Sequence, residues 1–253
     1  LSAALVFLTL PIVAIFVDTG PLDLVESLGE EGALEALRLS LLCSATAVAI
    51  IVLVGTPAAY LLATRRFRGR SALITLVELP LVLPPAVAGI GLLASLGPNG
   101  VLGGLVEDAG LQLVLTTTGV VVALTFVAAP FYLRQAQAGF EALDTTLLDA
   151  SRTLGASEAR TFVRVAIPSA GPALISGLAL AWGRALGEFG ATLMFAGSFR
   201  GVTQTVPLAI YERFSTDFTG ALALSAVLVA VSAALLLAVK LLSGSAWLGG
   251  AAR

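Results

Sequence analysis

Leu39-Ser-Leu-Leu-Cys-Ser-Ala-Thr-Ala-Val-Ala-Ile-Ile-Val-Leu-Val-Gly-Thr-Pro-Ala-Ala-Tyr-Leu-Leu-Ala-Thr64 runs from Arg38 to Arg65 without a charged side chain. A helix rising ~1.5 Å per residue crosses a ~30 Å hydrocarbon layer in ~20 residues, so this stretch can span a bilayer once. In lipid, every backbone N–H and C=O must be satisfied within the protein, and a helix does this within one segment. The expected fold class is therefore all-α integral membrane. Residues 79–106, 109–133, 165–183 and 218–239 are also uncharged, and 1–17 is apolar. The spans expected are approximately 1–17, 39–64, 72–96, 113–133, 168–196 and 218–242. These are six helices in a single transmembrane domain covering 1–253.

Composition agrees. Of 253 residues 58% are hydrophobic and 12% charged, and mean hydropathy is +1.00. Soluble domains carry ~25% charge. Several chemistries are excluded. There is no His, hence no Ser-His-Asp triad and no His-ligated metal. Cys43 is the single cysteine, which removes thiolate clusters and intrachain disulfides, and it reads as a packed thiol. The one lysine, Lys240, follows Leu-Leu-Leu-Ala-Val and cannot belong to a G-x-x-x-x-G-K-[ST] phosphate loop. No ATP site of that type is expected on this chain, and a net charge of −2 argues against nucleic acid. Leu1 is not an initiator Met and no basic residue precedes it, so a few residues are expected before it; a cleaved signal peptide is the alternative for 1–17.

Basic residues set the orientation. With both termini inside, the inner segments hold Arg65, Arg66, Arg68, Arg70, Arg134, Arg152, Arg160, Arg164, Lys240 and Arg253. Arg38, Arg200 and Arg213 fall outside. Asp18, Asp23, Glu26, Glu30, Glu31 and Glu35 crowd the first outer loop. An N-in, C-in topology follows from the Lys/Arg bias.

The inner segment between the fourth and fifth spans, Phe140 to Pro168, differs from the rest. Asp144 is placed to N-cap a helix, and Leu147, Leu148, Ser151 and Leu154 recur at helical spacing. Gly155 can stop that helix in the left-handed conformation. Ser157 and Glu158 restart one that runs until Pro168 forces a new beginning. The product is helix, tight bend, helix, either resting on lipid headgroups or docking a soluble partner. Arg152 and Arg160 could pair with acidic groups on such a partner or simply serve topology.

Two membrane stretches carry unusual residues. Arg184 is costly in a bilayer, and Glu188 at i+4 could pair with it on one helix face, bracing helix five or lining a gate. Around them lie Gly183, Gly187, Phe189, Gly190 and Thr192, the glycines allowing close helix approach or a bend. In helix three, Pro80, Pro84 and Pro85 remove backbone donors ahead of Gly89. Such irregular backbone lines a pathway or marks a packing kink.

The spacing of Asp149-Ala150-Ser151, Gly155, and Val165-x-Ile167-Pro168 resembles the E-A-A–G–I-x-L-P signature of ABC importer permeases, with Asp for Glu, Ser for Ala, Val for Ile and Ile for Leu. The stretches Leu79–Gly89, Leu96–Gly103, Ala138–Phe140, Arg184–Thr192 and Thr205–Tyr211 are similar to the molybdate/tungstate branch of that family, over roughly 38 to 242. Sulfate/thiosulfate permeases share the Gly187–Gly190 region and the 149–168 signature; the Thr205–Tyr211 run favours molybdate.

The resemblance implies a type I ABC importer permease fold. In it, Asp149, Ala150, Ser151, Arg152, Leu154, Gly155, Ala156, Ser157 and Pro168 form or frame an ATPase-docking coupling helix. Pathway or gate candidates are Pro84, Pro85, Gly89, Arg184, Gly187, Glu188, Phe189, Gly190 and Thr192. The implied partners are a second copy of the chain, two ABC ATPase subunits holding ATP and Mg, and an extracytoplasmic oxyanion-binding protein. The implied location is the bacterial or archaeal cell membrane, crossed several times, with no cofactor or metal on this chain. A secondary transporter would need more buried ionisable groups, and an intramembrane enzyme a catalytic pair that is absent.

Overall fold

The computed structural model describes residues 2–20, 29 and 32–250; the side chains of 240 and 242–250 are outside the description. Leu1, Asp23, Glu26, Glu30, Glu31 and Arg253, which figured in the reading of the first loop and the termini, lie outside the described residues, as does the Lys240 side chain.

Among the described residues the secondary structure is entirely helical. The elements are α1 (Ser2–Val17), α2 (Ala33–Thr64), α3 (Arg70–Val82), α4 (Pro85–Leu96), α5 (Gly103–Asp108), α6 (Thr117–Glu141) and α7 (Thr145–Thr153). There follow α8 (Glu158–Thr161), a π-helical turn (Phe162–Ala166), α9 (Ile167–Ser169), α10 (Gly171–Leu186), α11 (Gly190–Ala196), α12 (Val206–Phe214) and α13 (Phe218–Gly250). Three helices are long and apolar enough to cross a membrane unaided: α2, α6 and Phe218–Val239 of α13. Two interrupted pairs, α3 with α4 and Glu158–Ser169 with α10, bring the number to five. α1 is apolar with no buried residue, but only 16 residues long.

The interruptions have local causes. Leu83 precedes Pro84 and is extended (φ −73°, ψ 131°), because the proline ring disfavours a helical residue before it. Pro85 then opens α4, where its missing N–H is no loss. Pro168 acts differently from expectation. It sits inside α9, and the chain bends by 75° between Ser169 and Gly171 instead. The π-helical turn just before it shifts hydrogen bonding to the i−5 pattern, with Ile167 N–H donating to Phe162 O, and so accommodates a residue without a donor.

The chain divides into two compact units, residues 1–45, 85–124 and 186–235, and residues 46–84, 125–185 and 236–253. In the first, Ala33, Ala36, Val206, Ala209 and Leu224 form a tight core flanked by Leu37, Ile210 and Leu228. Ser40 Oγ accepts from Val206 N–H at 2.8 Å, satisfying a buried donor of the first turn of α12. In the second, Tyr132 is 1% exposed and its hydroxyl lies 2.6 Å from Thr56 Oγ1. Gly55 and Gly177 both leave room beside its ring. Many large apolar side chains face outward, with Phe7, Leu53 and Val82 each at least 76% exposed, as a lipid-facing surface requires.

Candidate functional site

The segment carrying the docking candidates is built by caps. Asp144 sits at the N-cap of α7 in extended conformation, and its Oδ1 accepts from Thr146 N–H at 2.9 Å. Hydrogen bonding from Thr146 holds the Asp144 carboxyl below the usual carboxylate range. α7 ends where the sequence places its stop. Gly155 has φ +83°, its N–H donates to Arg152 O, and Ala156 N–H reaches back to Ser151 O at 3.1 Å. That pair of bonds is a Schellman motif, which consumes carbonyls that the helix end would leave free. Ser157 caps α8, its Oγ accepting from Arg160 N–H at 3.3 Å.

Side chains then fasten the bend. Ser151 Oγ lies 3.0 Å from the fully buried Thr161 Oγ1, joining α7 to α8. Arg152 donates from Nη1 to Asp149 Oδ1 (2.9 Å), from Nε to Glu158 Oε1 (2.9 Å) and from Nη2 to Glu158 Oε2 (3.2 Å). Arg65 approaches the same Glu158 at 3.8 Å. Arg152, considered in sequence as a partner for an acidic surface, is thus engaged by two carboxylates of its own chain. Arg160 is exposed.

Under the bend the rings of Tyr60, Phe140 and Phe162 pack together, with centroids 4.8–6.3 Å apart. Two further ion pairs, Arg70–Glu141 at 2.5 Å and Arg134–Glu78 at 3.2 Å, lie in the same unit. None of these long-range pairings had a signal in sequence spacing. Leu148 is 5% exposed, whereas Leu147 is 51% and Leu154 88% exposed. The nine-residue helix therefore buries Leu148 in its own fold and turns Leu147 outward, and its C-cap residue Leu154 is turned outward as well.

The pathway candidates fall around a second break. The continuous helix expected over 168–196 is not formed. α10 stops at Leu186, Gly187 to Phe189 are non-helical, and α11 starts at Gly190. The helix that carries Arg184 therefore ends before Glu188 is reached. Glu188 is 1% exposed, and its Oε1 accepts from Ala191 N–H at 2.7 Å, which caps α11. A carboxylate there answers the donors and partial positive charge of a helix N-terminus. Arg184 is half-buried and Gly187 exposed. Phe189 stacks on Tyr211 with centroids 5.0 Å apart, and Thr192 is fully buried.

α11 packs closely on α4, and the glycines explain how. A Cβ on Gly89 would meet Met194 Cβ at 2.6 Å and Ala191 O at 2.7 Å; one on Gly190 would meet Pro85 Cβ at 2.8 Å. Pro85, Gly89 and Gly190 thus form one close helix contact, while Pro84 belongs to the break before α4. Gly183 faces open space and makes no such contact.

Comparison with known proteins agrees with this architecture. The solved bacterial alginate ABC transporter, in complex with its pentasaccharide-bound periplasmic protein, superposes with a TM-score of 0.73. It covers 94% of this chain and 89% of its own at 18% identity, which shows the shared ABC importer permease fold. The molybdenum transport system permease protein ModB of Mycobacterium tuberculosis is 40% identical over 94% of this chain and 90% of its own length. The sulfate transport system permease protein CysW of Synechococcus elongatus is 36% identical over 80% and 73%. The family model described as the binding-protein-dependent transport system inner membrane component matches residues 51–246. With the helices, the capped bend and these similarities in agreement, the chain belongs to that family, as the multi-pass membrane component of an ABC transport system whose ATPase is a separate chain.

Proposed function

We propose that this chain is the transmembrane subunit of an ATP-driven importer for a tetrahedral oxyanion, molybdate or tungstate. It works as a homodimer with two ATPase subunits on the cytoplasmic side and an oxyanion-binding protein outside. The cell membrane is crossed six times with both termini inside. The observation that carries the importer reading is the α7–Gly155–α8 bend. A short helix capped at both ends and fastened across its turn is a stiff lever, as a membrane chain driven by another subunit needs. The substrate class rests on the near full-length similarity to a molybdenum permease.

In the transport cycle, closure of the ATPases draws the two docking helices together and opens the outer side to anion delivered by the binding protein. Hydrolysis resets the inward-open state. Asp149, Ala150, Ser151, Leu154, Gly155, Ala156 and Ser157 form the docking element, and Pro168 lies in the segment leading from it to α10. Pro85, Gly89, Gly190 and Thr192 support the start of α11, which Glu188 caps, and Pro84 makes the break before α4. Arg184, Gly187 and Phe189 stand beside it as gate candidates. ATP and Mg belong to the partner ATPase.

The test is oxyanion uptake and ATP hydrolysis in proteoliposomes holding the chain, its ATPase and its binding protein. Molybdate or tungstate uptake should require ATP, and replacing Gly155 with Val should abolish it while the complex still assembles. ATP-independent uptake by the chain alone would overturn the importer reading. The similarity to a sulfate permease supports a second reading, sulfate or thiosulfate import, which strong uptake of sulfate and none of molybdate would establish.

A further inference from the structure

We infer that Arg152 is a positioning residue which, by clasping Glu158 across the Gly155 turn, fixes the angle at which α7 meets the ATPase and thereby sets how much transport each ATP supports. This rests on the importer reading but names a role that reading does not contain. Three observations lead to it.

The first is connectivity. Arg152 lies in the last turn of α7 and Glu158 opens α8, so their two-bond contact spans the non-helical turn at Gly155 that joins the two helices. The second is orientation. A guanidinium held by two parallel bonds to one carboxylate fixes direction as well as distance, which a lysine cannot do. Asp149 holds the same guanidinium from the preceding turn, and Arg65 reaches Glu158 from the chain just after α2. The bend is thereby tied both to itself and to the end of a membrane-spanning helix.

The third concerns what is left for the partner. Arg152, Asp149 and Glu158 satisfy one another, so the outward face of α7 is carried by Leu147 and Leu154, seven residues apart and therefore on one face. The kind of ATPase surface these two leucines fit is an apolar groove. The carboxylates are more than half exposed, and exposed ion pairs add little to stability. What the clasp supplies is direction, and its bonds strengthen when docking excludes water.

The experiment is a double-mutant cycle on the reconstituted complex of permease, ATPase and binding protein. Arg152→Ala, Glu158→Gln and the double variant are compared for complex assembly, ATP hydrolysis and uptake per ATP. Each single variant should assemble, hydrolyse ATP and lose uptake per ATP about fivefold or more. The double variant should be no worse than either single, because both remove one contact. Arg152→Lys, which keeps the charge but cannot make the two parallel bonds, should recover little of the loss. Unchanged coupling in the singles, or losses that multiply in the double, would overturn the inference; multiplying losses would mean that Arg152 meets the ATPase directly.

If a variant does not assemble, amide exchange of the isolated permease decides. Arg152→Ala and Glu158→Gln should each speed exchange at Gly155, Ala156 and Thr161 severalfold, and equally. Unchanged or unequal exchange overturns the clasp. The exchange measurement does not depend on transport. Wild-type complex without ATP-dependent uptake would therefore count against the importer reading alone.

Discussion

Single glycines separate packing from freedom in this molecule. At Gly89 the nearest atoms to an added Cβ are the backbone of Ala191 and the Cβ of Met194, none of which can swing away. Gly89→Ala should destabilise the detergent-solubilised chain by about 1–3 kcal/mol, the usual cost of forcing an atom into a close-packed contact. Gly183 is the control, since it lies inside α10 with nothing near its Cβ position. Gly183→Ala should be neutral or stabilising by about 0.5–1 kcal/mol through helix propensity. Thermal unfolding of the two variants side by side checks the pair, and equal destabilisation would refute the distinction. Sequence alone read Gly183 as a packing glycine and Gly89 as a pathway candidate; the close contact falls at Gly89 because the difference depends on which helix lies opposite.

At the scale of elements, what was legible was what is local. The N-caps at Asp144 and Ser157 and the left-handed stop at Gly155 follow from side-chain chemistry within a few residues, and each appears in its expected place. What was not legible involved a choice between local and distant satisfaction. Pro168 looked like a restart, but a π-helical turn absorbed it and moved the bend to Ala170. The stretch 168–196 looked like one continuous helix, yet α10 ends at Leu186 and the Glu188 carboxylate caps α11. The Arg152–Glu158 bridge crosses a turn and has no periodic signature.

The cap on α7 also carries a pH dependence. The Asp144 carboxyl titrates below its ordinary value because its charged form accepts from Thr146. A carboxylate depressed in the folded state contributes stability above its unfolded pKa and loses it as pH falls through the folded one. Order in α7 should therefore be constant from neutral pH down to about 4.5 and decline below about 4. A nitroxide on Ala150→Cys in a Cys43→Ser background should gain mobility in that acid range. Asp144→Asn, which caps without titrating, should remove the Asp144 part of the change. An identical pH profile in the variant would show that the cap is not the cause.

For the whole molecule, composition and uncharged runs carry the class. A chain with 12% charge has no water-soluble alternative in which to hide so much apolar surface, and its helices do turn large apolar side chains outward. The course of the chain through the bilayer is a separate matter, since three unbroken helices, two interrupted pairs and the 16-residue α1 admit more than one number of crossings. Charge bears on the crossings made by α3 with α4 and by α6. Arg65, Arg66, Arg68 and Arg70 cluster between α2 and α3, and Arg152, Arg160 and Arg164 lie in the docking segment. Both basic groups fall on one side only if α3 with α4 and α6 each cross once, and a cytoplasmic side is where such clusters are retained. A membrane-impermeant maleimide can test this on intact cells, because the one native thiol, Cys43, is buried. Ser157→Cys and Phe67→Cys should label only after the membrane is permeabilised, and Phe199→Cys, between α11 and α12, should label from outside. Labelling of Ser157→Cys in intact cells would invert the topology and put the docking segment beyond the reach of any cytoplasmic ATPase. Labelling of Phe67→Cys alone would instead mean that the α3–α4 pair turns back within the bilayer, leaving an odd number of crossings between the two basic groups.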